Sequence, residues 1–270
     1  MSMPGRLVLL GRPVRHSLSP QFQNAALAQA GIPLRYEALD VAPEALGATL
    51  KELRSARAAG NVTIPHKQPV AAACDTLTPL AARVRAVNTF WMNEGRLVGD
   101  NTDVGGFAAA VVRLLGVVPS DITIGVLGAG GAAAAVLAAV EGWRDCRAVV
   151  LNRTPRHAEE VCERFASVAR SIDDTRGMRE AQLVVNATSI GLRDDAIPID
   201  PSILHPSASV LDLVYRPGET AWVRAARARG HRAMDGLPML VEQGALSFER
   251  WFERAPDREV MWRAVSDPSS

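Results

Sequence analysis

The sequence predicts an α/β protein made of two successive α/β series. Three features carry that prediction. Strand-like and helix-like segments alternate through residues 6–65, a glycine-rich turn joins a strand to an alanine-rich helix near residue 128, and strand-like runs recur as far as residue 215.

Taken in order, "RLVLLG" (6–11) is a short apolar run closed by glycine, the pattern of a buried strand. "SPQFQNAALAQAG" (19–31) reads as a helix with Ser19 as N-cap, Pro20 at its first position and Gly31 as its stop. "RYEALDV" (35–41) alternates like a strand, residues 42–56 return to helical spacing, and "GNVTIP" (60–65) is a third strand. The order β-α-β-α-β calls for parallel strands. Residues 86–103 hold two β-like stretches around Asn93-Glu94-Gly95, a hairpin turn. A second series starts after residue 103, with a strand, turn and helix at 122–140, a strand at 148–152 and a helix at 155–167. Strands at 183–188 and 210–215, a helix at 219–230 and a strongly amphipathic helix at 239–254 follow. "SDPSS" (266–270) reads as a frayed tail.

With 48% hydrophobic against 22% charged residues, the 270-residue chain has the composition of a soluble globular protein. A net charge of +1, with arginines scattered rather than blocked, gives no electrostatic case for nucleic acid or an anionic membrane. Cys74, Cys146 and Cys162 are odd in number and far apart, which points to a reducing cytoplasm rather than a disulfide framework. The five histidines lack metal-ligand spacing, so no metal site is expected. The N-terminal apolar run is broken by Gly11 and Arg12, too short for a signal peptide. Residues 122–140 carry no charge, but a β-branched front, glycine centre and alanine-rich back suit a strand, turn and buried helix better than a membrane span.

Gly128-Ala129-Gly130-Gly131-Ala132-Ala133 fits G-x-G-x-x-G/A in the required strand-to-helix context. Glycines there let backbone N–H groups approach a pyrophosphate at the positive end of the helix. The alternative is a close helix–strand packing turn. An NAD site tends to place an acid at the end of the next strand. Here stand Asn152, Arg153 and Thr154, with Arg156 close by, and an Arg plane with a Thr hydroxyl suits a 2′-phosphate. NADP is therefore expected over NAD.

Short polar side chains gather in "HSLSP" (16–20), "NVTIPHK" (61–67), "VNT" (87–89) and "GDNTD" (99–103), each at the end of a predicted strand or hairpin. They suit a polar, hydroxyl-bearing ligand. Lys67 is one of only two lysines, the other being Lys51. Arginine stays protonated at any working pH, whereas lysine can give up a proton to a developing alkoxide. Asp103 is a candidate to orient that ammonium and to accept from a substrate hydroxyl. Taken singly, Lys67 is also an ordinary surface charge, and Asn-Thr-Asp an ordinary turn or helix cap.

Together, "GRPVRHSLSP", "GNVTIPHK", "AVNT", "GDNTDVGGF", "GAGGAA", "NRT", "NATSIG", "DLVYRPGET" and "DGLPMLVEQGALSFERW" resemble the shikimate dehydrogenase family nearly end to end. The resemblance implies an N-terminal α/β substrate domain (1–103), a Rossmann-like dinucleotide-binding domain (104–237), and C-terminal helices (238–270) returning to the first. It implies reversible reduction of 3-dehydroshikimate to shikimate with NADPH, in aromatic amino acid biosynthesis. Lys67 and Asp103 become the catalytic pair. Ser17 and Ser19 would hold the substrate carboxylate, while Thr63, Asn88, Asp103, Tyr215 and Gln243 would read the ring hydroxyls. Gly128, Ala129, Gly130, Gly131 and Ala132 would face the pyrophosphate, and Asn152, Arg153 and Thr154 the 2′-phosphate. Leu213 and Gly236 would flank the nicotinamide. His66 reads as packing or solvent-facing. The partner expected is the small-molecule substrate alone, with the chain a monomer or homodimer.

Two positions depart from the family pattern. Gln23-Asn24 stands where His-Asn is frequent, and His157 occupies a second arginine slot of the nucleotide loop. The competing readings are an NAD-using quinate/shikimate dehydrogenase, an aminoshikimate enzyme, and a non-catalytic nucleotide-binding regulator. The regulator would have no reason to keep both Lys67 and Asp103.

Overall fold

The structure, a computed structural model, describes residues 3–266. It divides into two units: one holds the chain up to Gly106 together with the chain from Leu240 onward, and the other holds Phe107–Met239.

The first unit opens with β1 (Arg6–Gly11), α1 (Ser19–Gln29), β2 (Tyr36–Asp40), α2 (Leu46–Ser55) and β3 (Ala58–Val62). Then come α3 (Lys67–Ala73), β4 (Thr76–Leu77), α4 (Pro79–Val84), β5 (Thr89–Asn93), β6 (Arg96–Asp100) and the start of α5 (Asp103–Leu115). The six strands form one sheet in the order β2-β1-β3-β5-β6-β4. β1 pairs parallel with β2 and β3, as the β-α-β-α-β pattern requires. Beyond β3 the hairpin takes over, and β5 runs antiparallel to β3 and β6. Its turn has positive φ at both Glu94 and Gly95, the two-residue geometry that matches strand twist.

The continuous apolar run of β1 has a direct cause. Leu7 and Leu9 face one core with Phe22 and Leu27 of α1, while Val8 and Leu10 face another with Leu46, Leu50 and Leu53 of α2. A strand covered on both faces needs apolar residues at every position.

One detail of α1 corrects the sequence reading. The helix begins at Ser19 itself, with Leu18 at the cap and no capping side chain. The Ser19 amide donates instead to Ser17 Oγ at 3.2 Å, so the serine two residues earlier takes the role expected of Ser19. Gly31, at φ +67°, ends the helical segment as expected. α3, β4 and α4 were not predicted, because segments of two to seven residues are too short to show a period.

The second unit contains β7 (Thr123–Leu127), α6 (Gly131–Glu141), β8 (Arg147–Leu151), α7 (Pro155–Arg164) and β9 (Ala169–Ser171). β10 (Leu183–Asn186), β11 (Ser209–Asp212), α8 (Ala221–Ala228) and β12 (Ala233–Met234) complete it. All neighbouring strands are parallel, in the order β12-β11-β10-β7-β8-β9. Read from β9, that is the doubly wound 3-2-1-4-5-6 order of a Rossmann-like sheet, reversing at β7. The uncharged stretch 122–140 is therefore β7, the glycine turn and α6, whose Ala133–Leu137 are all buried. No helix among the described residues is long and apolar enough to cross a membrane.

The chain closes with α9 (Leu237–Phe252) and α10 (Arg258–Ser266). Val241, Ala245, Phe248, Trp251 and Met261 join the core of Leu7, Leu9 and Phe22, so these helices complete the first unit. α10 was not read from the residues themselves, although the resemblance implies more than one C-terminal helix. Residues 267–270 of the expected frayed tail lie outside the described residues.

Candidate active site

In the first unit, Lys67 is the first residue of α3 and Asp103 the first of α5. An acid at a helix N-terminus is favoured by the helix dipole, and a cation there is not. Helix stability thus accounts for Asp103 but not for Lys67. What the lysine has is a partner: its Nζ donates to Asp103 Oδ2 at 2.6 Å. The Asp103 side chain is 6% exposed and that of Lys67 is 19% exposed, so only the lysine retains appreciable access to water.

The second Asp103 oxygen is equally engaged. Asn88 Nδ2 lies 2.9 Å from Asp103 Oδ1, 2.9 Å from Thr102 Oγ1 and 3.0 Å from Gln243 Oε1. Two hydrogens face three oxygens, so one acceptor is left for a donor from elsewhere, and a ligand hydroxyl is such a donor. Asn88 is itself fixed, because its Oδ1 accepts from the Thr102 amide at 2.7 Å and its carbonyl accepts from Asn61 Nδ2 at 3.0 Å. Lys67, Asp103, Asn88 and Gln243 are therefore joined through one hydrogen-bonded cluster.

The remaining sequence-predicted residues of this unit sit nearby in the chain path. Thr63 follows β3, and its amide donates to Leu10 O at 2.8 Å, which places it at the C-terminal end of β1. Ser17 lies two residues ahead of α1 and Ser19 begins it, with Ser19 only 4% exposed. His66 is buried, and its Nε2 lies 2.7 Å from Val41 O, anchoring the turn that leads into Lys67. Gln23, the departure in α1, is buried and donates to Gly244 O at 2.9 Å. Tyr215 belongs to the second unit, half-buried in the segment after β11.

In the second unit, the turn after β7 is built for a closely approaching ligand. Gly128 has φ +108°, and a Cβ there would press on the backbone of Ala187 at 3.0 Å. At Gly130, which caps α6, a Cβ would meet no protein atom within 4 Å, so glycine there leaves room above the helix N-terminus. Gly131 opens the helix, with Ala132 next. Ala129 lies between the two turn glycines. That space, beside the first-turn amides for which a helix has no internal acceptor, fits a dinucleotide pyrophosphate.

At the end of β8, Asn152 Nδ2 donates to Thr154 O at 2.9 Å, shaping the loop that exposes Arg153. Thr154 caps α7 without using its hydroxyl to do so. Arg156 pairs with Glu160 at 2.9 Å, and His157 is exposed. Arg153 and Thr154 are both exposed in this loop. Next to β11, Gly236 is obligatory, since a Cβ would collide with the Leu213 carbonyl, and its amide donates to Val214 O at 3.0 Å.

Asp212, fully buried at the end of β11, accepts from Asn186 Nδ2 (2.8 Å), Thr220 Oγ1 (2.7 Å) and the Val214 amide (3.1 Å). Burial pushes its carboxyl above the usual carboxylate range, against the opposing pull of those bonds. The three cysteines are free, and burial pushes the Cys74 and Cys162 thiols up to about 11. No cluster of metal-ligating groups occurs among the described residues.

Sequence reading assigned no role to Asn61, Thr102 or Ser247, all of which enter the cluster around Asn88. The available signal was the pair of polar residues Gln243 and Ser247, one turn apart on an otherwise apolar helix face.

Fold and site together define a two-unit α/β protein of the Rossmann-like dinucleotide-binding class, with a Lys–Asp pair at the starts of two helices in its first unit. The family model described as the shikimate dehydrogenase substrate binding domain matches residues 9–90, and that of the shikimate 5′-dehydrogenase C-terminal domain matches residues 236–265. An NADP(+) shikimate dehydrogenase of Thermus thermophilus is 43% identical, covering 96% of this chain and 97% of its own. A crystal structure of shikimate 5-dehydrogenase from a second strain of Thermus thermophilus, in complex with NADP(H) and shikimate, superposes with TM-score 0.88 at 42% identity, covering 96% of this chain and 97% of that one. The Aquifex aeolicus shikimate dehydrogenase gives TM-score 0.90 at 32% identity, covering 97% and 98%. This chain belongs to the shikimate dehydrogenase family.

Proposed function

We propose that the chain is an NADP-dependent shikimate dehydrogenase that interconverts 3-dehydroshikimate and shikimate. The observation that carries the reading is the 2.6 Å contact of Lys67 Nζ with Asp103 Oδ2, inside a cluster that also holds Asn88 and Gln243. When bound, NADPH supplies the hydride that reaches the carbonyl carbon.

The chain's own residues handle the proton. As charge develops on the carbonyl oxygen, the Lys67 ammonium donates a proton to it and becomes an amine. Asp103 Oδ2 holds the nitrogen in place throughout, and the partial exposure of Lys67 lets water restore the proton. In the reverse direction the amine takes the proton from the hydroxyl. Ser17 and Ser19 hold the substrate carboxylate, and Thr63, Asn88, Gln243 and Tyr215 read the hydroxyls. Residues 128–132 receive the pyrophosphate, Asn152, Arg153 and Thr154 the 2′-phosphate, and Leu213 and Gly236 the nicotinamide. In this reading 1–103 with 238–270 form the substrate domain, and 104–237 the NADP domain. The reducing cytoplasm suits the free cysteines.

A rate assay following the reduced nicotinamide tests the assignment, with shikimate and quinate each offered NADP and NAD. The reading requires rapid turnover with shikimate plus NADP. Comparable turnover with quinate and NAD overturns it in favour of the broader quinate/shikimate enzyme, and cofactor binding without any turnover favours a regulator.

A further inference from the structure

Ser247 is fully buried on the face of α9 that also carries Gln243. Its Oγ donates to Gln243 O at 2.9 Å, the usual way a serine satisfies itself inside a helix. Two side chains from distant segments converge on the same oxygen. Asn61 Nδ2 donates to it at 2.8 Å, and Thr102 Oγ1 lies 3.0 Å away. With the serine proton committed to the Gln243 carbonyl, the one Thr102 hydroxyl proton is shared between Ser247 Oγ and Asn88 Oδ1, which lies 3.2 Å away.

The three segments meeting here are those of the candidate active site. Asn61 lies in β3, the strand that leads to Lys67, Thr102 immediately precedes Asp103, and α9 presents Gln243. Asn61 is further held by Tyr36, whose hydroxyl donates to Asn61 Oδ1 at 2.8 Å. Thr102 in turn meets Asn88 through both its amide and its hydroxyl, and Asn88 reaches Asp103. A helical serine needed only for packing has no use for such partners, since the bond to the preceding turn already satisfies it.

We propose that Ser247 is a positioning residue for the Lys67–Asp103 pair, acting through Thr102 and Asn88. It fixes where the Asp103 carboxylate sits relative to β3 and α9, and so where the Lys67 ammonium points. The inference rests on the reading of that pair as the proton-transfer groups, but part of its test does not depend on turnover.

The test is a double-mutant cycle of Ser247→Ala and Thr102→Val, with Thr102→Ser as the variant that keeps the hydroxyl. Each single loss is expected to lower kcat about tenfold, as for a lost buried hydrogen bond, with KM for shikimate nearly unchanged. The double variant is expected to lose about tenfold as well, rather than the ~100-fold of independent sites. Thr102→Ser stays near the parent. The second readout uses the two lysines of the chain, which give two Cε signals in protein labelled with carbon-13 lysine. Ser247→Ala and Thr102→Val should both move the Lys67 signal and leave that of exposed Lys51 in place. Losses that multiply, an unchanged kcat, or an unmoved Lys67 signal would each overturn the proposal. If the parent turns over no shikimate, the functional reading falls, and the Lys67 signal alone decides this inference.

Discussion

Lys67 Nζ and Asp103 Oδ2 stand 2.6 Å apart, although their residues are 36 positions apart in sequence and each opens a different helix. The pairing depends on β3 and β5 lying side by side, with β6 next, so that the chain segments after β3 and after β6 leave the sheet close together. A composition that uses arginine for nearly every cation keeps a lysine where its partner is a buried carboxylate. Proton transfer is a task that separates the two residue types, because lysine can give up its proton and arginine does not.

The carboxylate is tested by Asp103→Asn. The substitution keeps the size of the side chain and its bond from Asn88, but places an amide against the lysine with no negative charge. Steady-state kinetics should show kcat lower by roughly 10²–10⁴-fold with a smaller change in KM, the range for a positioned acid–base partner. An unchanged kcat would remove Asp103 from the mechanism.

Arg153→Ala tests the cofactor reading. In the proposed function Arg153 holds the 2′-phosphate, while Arg156 has a surface partner in Glu160 at 2.9 Å. Loss of one charge-assisted hydrogen bond, about 1.5–3 kcal/mol, should raise KM for NADP roughly 10–100-fold and leave KM for NAD nearly unchanged. An equal rise for both would place Arg153 away from the phosphate.

How much of this was legible in the sequence varies with the kind of feature. The glycine turn after β7 and the strand–helix alternation were readable because each is local, a few residues whose spacing dictates the backbone. The pairing of Lys67 with Asp103 was readable through the chemistry that separates lysine from arginine and through the family resemblance, since no local spacing joins the two. The role of Ser247 was not, since its partners come from residues 61 and 102, and nothing in "GALSFERW" announces them. α3, β4 and α4 escaped for a different reason: they are short, and β3 with its neighbours specifies them by packing rather than by period. The cap of α1 slipped by one residue because two serines, Ser17 and Ser19, compete for the same role.

Asp212 gives a pH prediction with a definite sign. Its carboxyl is raised by burial, so the folded protein holds the proton to higher pH than the unfolded chain does. The stability this contributes is fully present below the ordinary carboxylate value of about 3.9 and is lost as pH rises through the raised value. Asp212→Asn lacks that dependence, while an amide can still accept from Asn186 and Val214 and donate to Thr220 Oγ1. Unfolding free energies measured across acidic pH should therefore show the parent losing stability relative to the variant as pH increases, with no further change above the raised value. A difference that runs the other way would show that the carboxylate is stabilised as the anion.

Arg250→Ala probes the anchoring of α9. Arg250 Nε donates to Asp100 Oδ2 at 2.8 Å, and the Asp100 side chain is 2% exposed while that of Arg250 is 55% exposed. Thr78 and the Asn101 amide both donate to Asp100 Oδ1, so removing Arg250 leaves Oδ2 of the buried carboxylate without that partner. Chemical denaturation should register a loss of about 1–3 kcal/mol. Salt should reduce the difference, since half the pair faces water.

The most direct test of the account is the kcat of Lys67→Arg with shikimate and NADP. The substitution preserves the positive charge and the pairing with Asp103, but its guanidinium does not release a proton at working pH. Its kcat should lie at least about 100-fold below the parent, with KM for shikimate changed far less. A variant turning over at the parent rate would show that position 67 supplies only charge, and that the proton comes from another group.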